Sequence, residues 1–280
     1  MSRLPTVSDR AFALDAATIL AASVAIITSA DRLLLMSLLV PALLLTRHVT
    51  WSRLPLAERG HSGGVEAVFI LACTLLGAFN DWNSVVNHRI YDYGVPVYFP
   101  EWSTIPGWML LFWGMILRFF YTLARWQRLR PPDAFAETLW PLRRPAPALR
   151  VALLLGLTLV TRQSIYRLWA DPIGSWLPFA LALGVYVVAC RPRRHAWWLL
   201  GLALTMGPLI EIAYIQLAGL HRYHLGWLGG VPLWIALWWG LALLVWQELV
   251  GRAMAAWPVA GRLSRPWCHS NANREPGPGR

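Results

Sequence analysis

The chain alternates long apolar runs with short polar loops. Eight runs approach the ~20 residues that carry an α-helix across a bilayer: 11–30, 33–46, 64–82, 106–124, 149–168, 174–190, 196–218 and 231–249. The second is short, and the fifth is interrupted by Arg162 and Gln163. This pattern predicts an all-α, polytopic integral membrane protein of about eight transmembrane helices. The first run follows Arg3 and Arg10 and ends in Thr28-Ser29-Ala30, features shared with signal peptides. Asp9 and Asp15 are wrong for the basic and apolar regions of such a peptide, so the run is read as the first span.

The spans also pair internally. Pro106 to Leu117 reads PGWMLLFWGMIL, and Pro232 to Leu243 reads PLWIALWWGLAL, with Pro, Trp, Leu, Trp, Gly and Leu in common. Upstream, Gly77 stands four residues before Asp81 and Gly207 four before Glu211; Tyr93 and Tyr223 each follow the acid by twelve. Two parallel four-helix repeats explain acid, tyrosine and proline in one order. Such repeats are related by an axis along the membrane normal, and sites lie at their interface. The expected organisation is a first repeat at 1–127, a cytoplasmic linker at 128–148, a second repeat at 149–250 and a disordered basic tail at 251–280.

Composition agrees with a lipid environment. Of 280 residues, 57% are hydrophobic and 14% charged, against about 25% charged in soluble domains. Mean hydropathy is +0.46. All 25 basic residues are arginine, which points to codon bias, and the formal net charge is +11. The arginines concentrate in alternate loops: Arg47, Arg53 and Arg59; Arg125 to Arg150; Arg191, Arg193 and Arg194; and the tail. The intervening loops hold only Arg32, Arg89, Arg167 and Arg222. This is the positive-inside pattern of a cell (inner) membrane protein with both termini cytoplasmic, and it argues against nucleic acid as partner. Three cysteines without CxxC or Cys/His spacing imply neither a disulfide framework nor zinc.

Chemistry concentrates on the outer side. Glu211 lies in an apolar helix with Tyr214 and Gln216. An intramembrane acid is costly and faces a partner or cavity, which makes Glu211 the leading proton donor, with a structural hydrogen bond as the plain alternative. Asp81 is its counterpart nearer the boundary. Glu66 reads as an interfacial charge and Arg118 as a structural residue snorkelling inward. The outer loops supply His88, Tyr93, His221, Tyr223 and His224, and the repeated helix heads supply Trp108, Trp234 and Trp238. Two histidines three apart are a weak metal signal, and no metal is expected. Trp113, Trp239 and Trp246 fall deeper in their helices; indole faces stabilise cations, although packing and lipid anchoring explain most of the tryptophans.

Glu211, Tyr223 and GGVPLWIALWW together resemble a pattern in carotenoid hydratases and related lycopene cyclases, and the duplicated acids Asp81 and Glu211 are similar to those of integral-membrane terpene cyclases. The resemblance covers roughly 77–117 and 207–247. It implies acid–base roles for Glu211 and Asp81 and no redox cofactor. The resulting expectation is a membrane enzyme that acts on an apolar, isoprenoid- or carotenoid-like lipid by acid-initiated hydration or cyclisation. Glu211, Asp81, His221 and Tyr223 would be catalytic. Tyr93, His88, Tyr214, Gln216, Trp108, Trp234 and Trp238 would bind substrate. A proton-coupled transporter or lipid flippase, and a non-catalytic assembly subunit, are the rival classes; oligomeric state is left open.

Overall fold

The computed structural model describes residues 6–129 and 146–256. The order is α1 (Asp9–Ser29), α2 (Leu33–Ser52), the short α3 (Leu56–Arg59), α4 (Gly63–Trp82), a π-helical turn (Asn83–Asn87) and β1 (Tyr91–Tyr93). Then follow α5 (Gly107–Leu123), α6 (Pro147–Leu168), α7 (Leu177–Cys190), α8 (Arg194–Gln216), β2 (His221–Tyr223) and α9 (Leu233–Ala256). Among the described residues six helical segments are long and apolar enough to cross a membrane; α5 and α7 are shorter apolar helices. Most of the expected linker and tail lie outside the described residues, but α9 carries helix past 251, through Ala256.

Local chemistry sets several boundaries. The Ser8 hydroxyl accepts from Ala11 N at 3.2 Å and Ser62 does the same for Val65 N at 3.3 Å, so each covers a donor that the helix start leaves open. Proline stands in the first turn of α6 and α7, where its missing N–H costs nothing.

Two helix pairs form the closest packing, α4 on α5 and α8 on α9. The same small residue permits both. A methyl group added at Gly77 would sit 2.5 Å from Trp113 Cβ, and one at Gly207 would sit 2.4 Å from Trp239 Cγ. Without a hydrophobic drive between helices in lipid, such close packing is a main source of association. The two bundles, α1–α5 and α6–α9, meet where α5 packs on α9 and α1 on α8. Trp246 Nε1 donates to Leu117 O at 2.7 Å, and Ser23 and Tyr214 share a 2.7 Å hydrogen bond across the α1–α8 contact.

Several arginines sit deeper than their loop assignment. Arg47 lies within α2 and is buried. Its Nε donates to Asp15 Oδ1 at 2.6 Å, and it also pairs with Glu66. Arg118 does not snorkel: its Nε reaches Glu66 at 2.8 and 3.0 Å, and it hydrogen-bonds Thr122. Thr122 donates to Asp15 Oδ2 at 2.5 Å and His61 Nε2 lies 2.6 Å from Glu66 Oε2. Glu66 is therefore no interfacial charge; it is fully buried and holds α2, α4 and α5 together. In the other bundle Arg150, within α6, pairs with Glu248 at 2.5 Å, and Tyr186 donates to the same carboxylate at 2.7 Å.

Candidate functional site

An all-helical reading misses one element. β1 and β2 pair antiparallel, Tyr91 opposite Tyr223, Asp92 opposite Arg222 and Tyr93 opposite His221. Gly94 N donates to Leu220 O at 2.9 Å beyond the ladder. Side chains alternate along a strand, so Tyr91, Tyr93, His221 and Tyr223 turn inward and are buried, while Asp92 and Arg222 turn out. The ladder lies across the seam between the bundles.

Each acid meets the strand that follows it. Tyr91 donates to Asp81 Oδ1 at 2.5 Å and Tyr93 to Oδ2 at 2.7 Å; Trp113 Nε1 adds a third donor to Oδ2 at 2.9 Å. Glu211 Oε2 lies 2.8 Å from His221 Nε2, a separation suited to an ion pair, yet the ring nitrogen makes no aligned hydrogen bond. Tyr223 reaches the same oxygen at a long 3.5 Å. The intervals match: Tyr91 and His221 each follow the acid by ten residues, Tyr93 and Tyr223 by twelve.

The acids differ in access. Asp81 is fully buried with both oxygens engaged. Glu211 instead lines a small cavity with the four strand side chains, Tyr214 of α8, Met109, Trp113 and Ile116 of α5, and Trp239 of α9. Its contacts fall on Oε2, and Oε1 has no hydrogen bond among the described residues. Nor does the buried Trp239 Nε1, the positional counterpart of Trp113 Nε1. The cavity leaves ≈ 20 Å³ open to the centre of a water molecule, room for about one or two waters and no lipid chain.

Burial holds the Tyr91 and Tyr93 phenols well above the usual phenol range, and the Asp81 carboxylate adds to the effect. Burial, then Glu211, does the same for Tyr223. All three are therefore donors near neutrality.

Of the eleven residues named from sequence, Glu211, His221, Tyr223, Tyr93 and Tyr214 share the cavity. Asp81 stands behind Tyr91 and Tyr93, so a direct transfer from substrate to Asp81 does not fit this arrangement. His88 does not line it and is stacked on Tyr166, with ring centres 4.1 Å apart. Gln216 donates to Gly229 O at 3.0 Å in the turn before α9. Trp234 packs behind Tyr223 at 5.8 Å, Trp238 stands edge-on to Trp113 and Trp239, and Trp108 is buried at the head of α5. Sequence reasoning left out Tyr91, Trp113 and Trp239 as site residues. The ten-residue interval marks Tyr91, and the aligned Trp positions of α5 and α9 mark the other two.

Among the described residues, no three His, Cys, Asp or Glu side chains gather as metal ligands would. Comparison with known proteins finds no matching family, no matching curated relative and no matching solved structure.

Proposed function

We propose that the chain is an eight-span membrane protein of two parallel repeats, with both termini cytoplasmic, and that Glu211 is a proton donor at the seam between them. The observation that carries this reading is the contrast between the acids: Glu211 lines the cavity with a free carboxyl oxygen, whereas Asp81 is enclosed by three donors. The matched intervals and the self-complementary ladder support the repeat. Exchanging Tyr91 with His221 and Tyr93 with Tyr223 turns each strand pair into the other, as a two-fold axis through Asp92 and Arg222 requires.

The activity that suits such a donor is acid-initiated hydration or cyclisation of an isoprenoid-like lipid, which requires the seam to open wider than it stands in this structure. Glu211 transfers its proton to one carbon of a double bond, leaving a cation on the other carbon. The indole faces of Trp113 and Trp239 stabilise that cation. Water adds and then loses a proton, or an internal double bond closes a ring and a proton leaves; either proton returns to Glu211 through His221. Asp81 is a positioning residue that fixes the Tyr91 and Tyr93 phenols.

The small size of the cavity favours a second reading. It admits a proton or a water but no lipid, which suits a proton-coupled carrier whose site lies at the repeat interface. Mass spectrometry of lipid extracted from the purified protein, before and after incubation with candidate polyenes, tests the choice. The enzyme reading expects a hydrated or cyclised product. Recovery of unaltered lipid alone, together with proton-driven uptake in vesicles, supports the carrier.

A further inference from the structure

Arg162 is six residues before the end of α6, so its Cα lies roughly 9 Å inside the helix end. A charge placed at the centre of a span costs about 2.5–3.5 kcal/mol on insertion scales, and such residues find partners. The buried arginines described above are matched by carboxylates: Arg47 and Arg118 by Asp15 and Glu66, Arg150 by Glu248. Among the described residues Arg162 has no ion pair. Its guanidinium sits over the Trp238 ring, 5.2 Å from the centroid.

The titratable groups whose charge Arg162 would feel are Tyr166 on its own helix, Tyr91 and Tyr223 from the ladder, and Asp81. The phenols are neutral donors. Asp81 is already engaged by Tyr91, Tyr93 and Trp113 and makes no ion pair with Arg162 among the described residues. Arg162 as a residue is only partly buried, and its guanidinium nitrogens are not among the enclosed polar atoms left without a hydrogen bond. α4 and α6 do not form a packed pair among the described residues, unlike α1 and α8 on the other side of the seam. The neighbouring α7 has 14 residues, about 21 Å of helix. A span this short thins the bilayer beside it and brings headgroups deeper.

We propose that Arg162 is an anion-binding residue on this lateral face, and that it takes the phosphate of an anionic membrane lipid. A planar guanidinium matches phosphate in a two-pronged geometry, and the Trp238 ring packs against it. The proposal is independent of the acid chemistry at Glu211.

The full-length protein is assembled in nanodiscs of phosphatidylcholine and phosphatidylglycerol, and the lipids it retains are weighed by native mass spectrometry. Wild type is expected to retain phosphatidylglycerol in preference. Arg162→Gln should lower that preference roughly fivefold, the equivalent of about 1 kcal/mol for one arginine at the membrane surface. Arg222→Gln, on the outward face of the ladder, should leave it unchanged. Inorganic phosphate in detergent is the second arm: stabilisation of wild type but not of Arg162→Gln would keep the phosphate site and assign it to a soluble anion. Equal phosphatidylglycerol retention by wild type and Arg162→Gln, or no preference in wild type and no response to phosphate, overturns the proposal. Should Arg162→Gln fail to fold, Arg162→Met keeps the apolar length over Trp238 and carries the same readout.

Discussion

Tyr91 donates a 2.5 Å hydrogen bond to Asp81, ten residues before it in the chain. His221 stands at the same interval from Glu211, at 2.8 Å. One acid thus receives a phenol and the other an imidazole, and the chemistry of the two positions diverges. A phenol that stays neutral can only donate to Asp81. An imidazole beside Glu211 brings a second ring nitrogen that can either donate or accept. Three donors enclose one acid, whereas the other faces a single imidazole and a distant phenol.

The inward phenols make stability depend on alkaline pH. Tyr91, Tyr93 and Tyr223 are held well above the ordinary phenol range, so above about pH 10 the unfolded chain releases protons that the folded chain keeps. Stability therefore falls as pH rises past that point, by about 1.4 kcal/mol per pH unit for each phenol. Denaturation midpoints measured from pH 9 to 11.5 should decline, and Tyr223→Phe should make the decline shallower. A flat profile would mean that these phenols ionise freely in the folded protein.

Arg118 is the centre of the other buried network. Arg118→Met leaves Glu66 and Asp15 short of a cation and should destabilise the protein by about 3–5 kcal/mol, the usual cost of breaking a buried pair. Unfolding in mixed micelles measures it. A change below about 1 kcal/mol, as exposed pairs give, would place Arg118 in water.

Gly207→Ala should be costly, because the new methyl meets Trp239 at 2.4 Å. Overpacking of this kind costs about 1–3 kcal/mol. Gly184→Ala on α7 is the control, since nothing lies within 4 Å of the added carbon. If both variants unfold at the wild-type midpoint, α8 and α9 are less closely packed than described.

Much of this was legible in the sequence for physical reasons. Apolar runs of bilayer length announce helices, and the intervals from Gly77 to Tyr93 and from Gly207 to Tyr223 point to the seam. The ladder was not legible, because strands of three residues carry no periodicity and Tyr91-Asp92-Tyr93 reads as loop. The Asp15–Arg47–Glu66–Arg118 network was hidden for a different reason. Each charge lies near a helix end, where snorkelling is the ordinary outcome, and only the packing of four helices brings them together. Asp81 and Glu211 look equivalent in sequence; the three donors around Asp81 separate them in space.

In the function proposed above, Glu211 supplies a transferable proton to a ligand in the cavity. Glu211→Gln keeps the shape and removes that proton, and general acids contribute about 10²–10⁴ in rate. Turnover of an isoprenoid-like polyene by purified, folded Glu211→Gln is the direct measurement, with Gln216→Ala, which is outside the cavity, as the comparison. Product should fall by at least about a hundredfold in Glu211→Gln and persist in Gln216→Ala. Product formation at the wild-type rate in Glu211→Gln would contradict it.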